Sequence, residues 1–207
     1  SYLEFCKTYF KHLFTIKFSE SHLLVIESIE RTVMHGGLQA VAMPRSSGKS
    51  TLCEIGAIWA LLSGHRRFVM LIGSTETAAR EQLENIKAEL EHNELLQADY
   101  PEALFPIAKL EGINKRCQGQ TANNGQKTNI TWTANEVSLP TVAGSKISGA
   151  TLRVAGITGR IRGTKKTTAD GKSIRPDYVL LDDIQTEESS KSTMQCQERL
   201  KIINSAV

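Results

Sequence analysis

The chain has 207 residues, 40% hydrophobic and 23% charged, with a formal net charge of +3, which suits one soluble α/β core and excludes a disordered or fibrous chain. Cys6, Cys53, Cys117 and Cys196 are scattered without a Cys-x-x-Cys pair or matching histidines, and no apolar run reaches membrane-spanning length. Zinc sites, a disulfide framework and a membrane span are therefore not indicated, a reduced cytoplasmic setting is the simplest, and the small positive excess permits nucleic acid without requiring it.

Residues 20–35 read as a helix with Leu23, Ile26, Ile29 and Val33 on one side and Gly36-Gly37 as its stop. Phe18 and His22 near its start are placed for a stacking or edge contact with a nucleotide base. A packing or surface role is the plainer reading, and His22 has no partner ligand for a metal. Residues 38–43 are short and apolar and predict a buried strand. The stretch Met43-Pro44-Arg45-Ser46-Ser47-Gly48-Lys49-Ser50-Thr51 follows. Leu52, Ile55, Gly56, Trp59 and Leu62 then recur at helical spacing up to Ser63-Gly64. Strand, loop and helix thus stand in the order a phosphate-binding loop requires.

The ending Gly48-Lys49-Ser50 matches the pattern G-x-x-x-x-G-K-[ST], although Met43 stands where the first glycine is expected. In that geometry backbone amides and the helix N-terminus face phosphate oxygens. Lys49 would reach the β and γ oxygens, and the Ser50 hydroxyl would ligate Mg²⁺. A chance Gly-Lys-Ser in a surface turn is the alternative. Gly171-Lys172-Ser173 fails the same flank test, because only polar residues precede it.

Residues 68–72 predict a second buried strand closed by Gly73. Ser74 or Thr75 then caps a long helix with Ala79, Leu83, Ile86 and Leu90 on one stripe, ending before Tyr100-Pro101. A turn at Asn123-Asn124-Gly125 precedes an alternating strand at 128–133, and 151–156 predict another strand. The alternation of helices and strands implies a mainly parallel sheet covered by helices.

Between residues 158 and 175, Arg160, Arg162, Lys165, Lys166, Lys172 and Arg175 face one acid, Asp170. Three readings stand: contact with DNA phosphates, an arginine offered to a neighbouring subunit's nucleotide site, or a solvated loop. Residues 177–184 then place Val179, Leu180 and Leu181 before Asp182-Asp183, which suits a central parallel strand with two carboxylates at its carboxyl end. A cation would offset their desolvation: Asp182 to hold a metal, Asp183 to orient water or accept its proton. A helix N-cap after a strand is the bland reading.

Pro44 to Thr51, the strand leading to Asp182-Asp183, and Gly159-Arg160-Ile161-Arg162-Gly163 together resemble the ATPase domain of a tailed-bacteriophage terminase large subunit, over nearly the whole chain. The resemblance implies a P-loop NTPase of RecA-like, additional-strand (ASCE) fold occupying 1–207, with a helical segment 1–36 packed on it. It implies ATP and Mg²⁺ as ligands and ATP-driven movement of double-stranded DNA into a procapsid, in the cytoplasm of an infected bacterium. Its partners would be DNA, a portal protein and a small terminase subunit, with the chain working in a pentameric ring. Residues 44–51 would cradle the nucleotide, Lys49 would bind phosphate, Ser50 and Asp182 would hold the metal, and Asp183 would be the catalytic carboxylate. Asp183 departs from the family's usual glutamate, so Glu187 or Glu188 would assist or simply open the next helix. Arg45 is a candidate finger or γ-phosphate sensor, against a pairing with a domain carboxylate. Arg160 and Arg162 are weaker candidates. The chain starts without methionine and stops at Val207 in what reads as an unfinished helix, so a fragment lacking the family's nuclease domain is expected. A different nucleic-acid translocase or helicase, a P-loop kinase and a structural nucleotide-binding module remain as alternatives.

Overall fold

The computed structural model describes residues 1–122, 124–159, 161–168 and 171–206. Three helices open the chain: α1 (Tyr2–Tyr9), α2 (Glu20–His35) and α3 (Lys49–Leu62). Strand β1 (Phe68–Gly73) is followed by α4 (Glu76–His92), α5 (Glu94–Asp99) and α6 (Pro101–Ala108). Then come β2 (Thr131–Trp132), β3 (Glu136–Ser138), β4 (Thr151–Gly156), β5 (Lys166–Thr167), β6 (Ser173–Ile174) and β7 (Tyr178–Leu181). Helices α7 (Glu187–Ser190) and α8 (Thr193–Ala206) close it. Thr75 caps α4 as its sequence suggests, and Asn93 interrupts the long helix by capping α5 through Leu96. Pro101 at the start of α6 then lacks only an amide that the helix would not have used.

The fold is α/β with a mixed five-stranded sheet, in the order β2-β3-β4-β1-β7, flanked by helices. The expectation of a mainly parallel sheet is corrected: β1 pairs parallel with β4 and β7, whereas β3 pairs antiparallel with both β2 and β4. Only residues 133–135 join β2 to β3, too few for the crossover that parallel pairing needs. The predicted strand at 128–133 shrinks to Thr131–Trp132, because Asn129 adopts a left-handed φ of 51° that interrupts the extended run.

Two corrections concern the site's surroundings. Residues 38–43 form no strand, and Leu38 is 87% exposed. Gln39 instead accepts hydrogen bonds from Ser28 (3.2 Å) and Arg31 (2.9 Å) on α2, while Ala40 and Ala42 offer little apolar area to reward pairing. Consequently β7 is an edge strand and not a central one, with Tyr178 and Leu180 buried and Val179 and Leu181 half-buried.

Alternation along the strands divides the core. Val69, Leu71, Leu152, Val154, Tyr178 and Leu180 join the large cluster built with α1 to α6. Met70, Ile72, Ile157 and Ile161 form a smaller one, against which Val179, Leu181, Ile202 and Ile203 pack, so α8 covers the second face. β1 supplies both clusters and is buried along its whole length. The Asp177 carboxylate accepts from the amides of Arg67 (2.8 Å) and Phe68 (2.9 Å), setting the register of β7 on β1. Arg66 joins the Asp177 carbonyl (3.1 Å) to the α2 carbonyls of Thr32 (3.0 Å) and Val33 (2.8 Å).

Part of the basic segment is structural. Gly171-Lys172-Ser173 lies at the turn of the β5–β6 hairpin, where Gly171 has φ of 78°, and no helix follows it. Lys166 on that hairpin donates to Glu136 Oε1 at 2.6 Å, and Arg153 Nε on β4 donates to Glu136 Oε2 at 2.6 Å. Burial would raise the Glu136 carboxyl, but the two cations outweigh it and hold it below the ordinary range. The solvated-loop reading is therefore wrong for Lys166, whose charge is consumed within the fold. Arg160 lies outside the described residues.

Because the Glu136 carboxyl is depressed in the fold, its contribution is present above the unfolded value of 4.5 and is lost as pH falls through the lower folded one. Glu136→Gln should lower stability at pH 7 by about 2 kcal/mol, since it strands two partly buried cations. Urea melts at pH 7 and pH 3 should show that deficit shrinking in acid.

Candidate functional site

The loop before α3 turns on two residues with positive φ, Ser46 at 60° and Gly48 at 78°. Ser46 takes the conformation against its preference, whereas Gly48 takes it freely as the α3 N-cap and has no side chain to cap the first amides. The amides of the first α3 turn therefore lack both intrahelical and side-chain partners, and the dipole of this 14-residue helix adds positive potential there. Inside the loop, Ser47 Oγ donates to the Pro44 carbonyl at 2.7 Å.

His22 braces this loop from α2. Its Nε2 lies 2.7 Å from the Ser47 carbonyl, which only accepts, so Nε2 carries a proton. Its Nδ1 accepts from the Ser19 amide at 3.1 Å, completing the capping box of α2. Both ring nitrogens thereby have partners within the fold, which is a structural role. Phe18 makes tilted ring contacts with Phe14 and His22, with centroids at 4.8 and 6.1 Å.

The carboxyl end of β7 meets this loop. Asp182 continues the ladder by donating its amide to Ile72 (3.0 Å), and its side chain is only 3% exposed. Lys49 Nζ stands 3.7 Å from Asp182 Oδ1, while Gln82 Nε2 on α4 donates to Asp182 Oδ2 at 2.7 Å. The fold thus brings Lys49 and Asp182 together from opposite parts of the chain. Lys49 and Asp182 also share the wall of a cleft of about 170 Å³ with Gly37, Leu38, Cys53 and Leu181, between β7 and the 37–41 segment. A larger cleft of about 380 Å³, against Phe105 and Pro140, shares none of these residues.

Asp183 is exposed and adopts a φ of 45°, a conformation that Asp and Asn tolerate better than other side chains. Asp183 is exposed and Asp182 buried, so the two carboxylates are held in different environments. Pro44, Arg45 and Ser46 are exposed, and Ser47, Ser50 and Thr51 are half-buried. Among the described residues Arg45 makes no ion pair, so the alternative of a pairing with a domain carboxylate is not seen there. Arg162 is exposed but has an interaction within the fold. Glu187 begins α7 after the Thr186 cap, and its side chain lies outside the described set. Among the described residues no group of three or more His, Cys, Asp or Glu side chains forms a metal cage. No described helix is long and apolar enough to cross a membrane.

Two side chains near the site were not singled out by sequence. Glu54 lies four residues after Ser50 and so on the same face of α3, a spacing that could have flagged it. Burial pushes its carboxyl up to about 7, opposed by the hydrogen bond from Asn85 (3.2 Å) and reinforced by the charges of Asp182 and Glu89. Cys53 is likewise raised to about 12, first by burial and then by Asp182, so it is a neutral thiol. The second is Gln82, a polar residue on a flank of α4 whose importance appears only once β7 is beside it.

A carboxyl raised in the fold costs nothing below its unfolded value of 4.5 and destabilises increasingly as pH rises to about 7. Glu54→Gln should therefore raise the melting temperature of the ligand-free chain at pH 8 by a few degrees and leave it nearly unchanged at pH 4.5. Calorimetric scans across that interval check it, and an equal shift at both ends would contradict the assignment.

In comparisons with known proteins, no family model, no curated protein and no solved structure matches this chain.

Proposed function

We propose that this chain is an ATP-hydrolysing domain that binds Mg²⁺-ATP on the loop 44–51 and drives DNA packaging in the manner of a terminase large subunit. The observation that carries the nucleotide part is the meeting of Lys49 with buried Asp182 beside the uncapped N-terminus of α3. Such a terminus with a lysine beside it is suited to a polyphosphate. The packaging part rests on the resemblance carried by Arg45, the Gly159 to Gly163 stretch and the paired aspartates. The P-loop, RecA-like classification belongs to the same proposal.

Mg²⁺ rarely occupies an all-protein cage; it keeps several waters and takes one or two carboxylates plus substrate phosphates. One buried carboxylate, Asp182, and one helix-start hydroxyl, Ser50, fit that habit. Asp182 and Ser50 would hold the ion, which when bound would neutralise charge on the phosphates. Lys49 would release Asp182 Oδ1 for the phosphates, a short excursion for a side chain already at the loop. Asp183, exposed at the turn, would accept a proton from the attacking water or orient it. Arg45 would place its guanidinium against charge developing on the γ-phosphate. The shorter reach of aspartate requires water to sit close to the β7 turn.

The test is ATP hydrolysis by the whole chain with and without double-stranded DNA, alongside binding of a fluorescent ATP analogue. Lys49→Ala should abolish nucleotide binding. Asp183→Asn, whose side chain also accepts a positive φ, should keep binding and lose turnover by about 100-fold or more. Unchanged turnover in Asp183→Asn would reject the hydrolytic role, and phosphate transfer to a small acceptor would instead make the chain a kinase.

A further inference from the structure

Gln82 holds an acceptor with nothing to accept. Its amide nitrogen must face Asp182, because a carboxylate offers no donor, and that contact at 2.7 Å fixes which way the amide is turned. The oxygen Oε1 is consequently directed elsewhere, and it is buried without a hydrogen-bond partner. Such an orphan is costly, and folded proteins leave few of them. Gln82 is half-buried on α4, and its contact with Asp182 holds the amide in the site. Lys49, the cation of this site, is engaged with the other Asp182 oxygen.

The missing donor must reach a buried point next to a carboxylate already assigned to a hydrated cation. Water on a divalent ion is a strong donor, because the ion polarises its O–H bonds. Mg²⁺ retains such waters when it is held by a single protein carboxylate. We propose that Gln82 is a positioning residue for the metal: Nε2 orients Asp182, and Oε1 accepts a hydrogen bond from a water of the Mg²⁺-nucleotide complex. The inference rests on the reading above that Asp182 holds Mg²⁺ with ATP. It adds a specific contact on α4, a helix that none of the sequence motifs includes. It also couples occupancy of the metal to α4, which packs against β1 and β4.

The experiment titrates Mg²⁺ into the whole chain with a fluorescent ATP analogue, and repeats the nucleotide titration in EDTA. Gln82→Met keeps the length and helix preference of the side chain but removes both polar atoms, whereas Gln82→Glu removes the donor and keeps the acceptor. Gln82→Met should raise the half-saturating Mg²⁺ concentration about 10-fold or more, with affinity in EDTA unchanged within about twofold. Gln82→Glu should stay within a few-fold of the parent chain. Equal losses in both variants would show that only the donor contact to Asp182 matters, and an unshifted Mg²⁺ requirement in Gln82→Met would remove the metal role altogether. Either result overturns the proposal while leaving nucleotide binding intact. If the parent chain itself shows no Mg²⁺-dependent nucleotide binding, the assignment of Asp182 falls and this one with it. Should Gln82→Met not fold, Gln82→Glu decides the question through its Mg²⁺ requirement, which a donor-only role predicts to rise as sharply as in Asp182→Asn.

Discussion

A carboxylate at 3% exposure cannot keep its charge in a protein interior without compensation, and Asp182 obtains it from two helices far apart in sequence. Lys49 at the start of α3 approaches one oxygen and Gln82 on α4 donates to the other, while the backbone amide of Asp182 extends the ladder from β1. These contacts bind α3, α4 and the end of β7 into one geometry. Removing the lysine would expose the cost of the buried charge, so the same interaction that builds the site also constrains the fold around it.

The loop itself is positioned from behind. Tyr2 on α1 donates its hydroxyl to the Leu52 carbonyl, and His22 on α2 holds the Ser47 carbonyl. Gly56 lets α3 approach α2 closely; a Cβ there would stand 2.9 Å from Ile29 Cγ2. Residues 1–35 are thus a buttress for the first turn of α3, which explains why a helical segment precedes the loop. The close approach keeps the unpaired amides of that turn fixed in place, and fixed dipoles stabilise an anion better than ones that must reorganise.

Charge elsewhere is partitioned by the same rule. Glu136 absorbs Lys166 and Arg153 between β3, β4 and the β5–β6 hairpin, so the positive segment 158–175 is not a uniform cationic face. At the other edge of the sheet, β7 has no strand partner beyond β1 among the described residues, and the 37–41 segment stands across a cleft from it, tied to α2 by Gln39. The site consequently opens at the sheet edge, with Lys49 and Asp182 both on the wall of that cleft.

Local pattern was enough for α2, α3, β1, the start of α4 and β4, because helical and alternating periodicities and capping residues act within a few positions. Gly48-Lys49-Ser50 before an apolar helix likewise marked the turn into α3, since backbone geometry and capping are local properties. The strand expected at 38–43 failed because pairing depends on what lies alongside. Gln39 is bound to α2 instead, and β7 stands at the edge of the sheet. Residue 129 broke the strand at 128–133 by a backbone angle that no alternation of side chains reveals. The partners of Asp182 could not be read in advance for the same reason: Lys49 and Gln82 compensate it only when α3, α4 and β7 converge, and burial, which makes that compensation necessary, is a property of the packed chain.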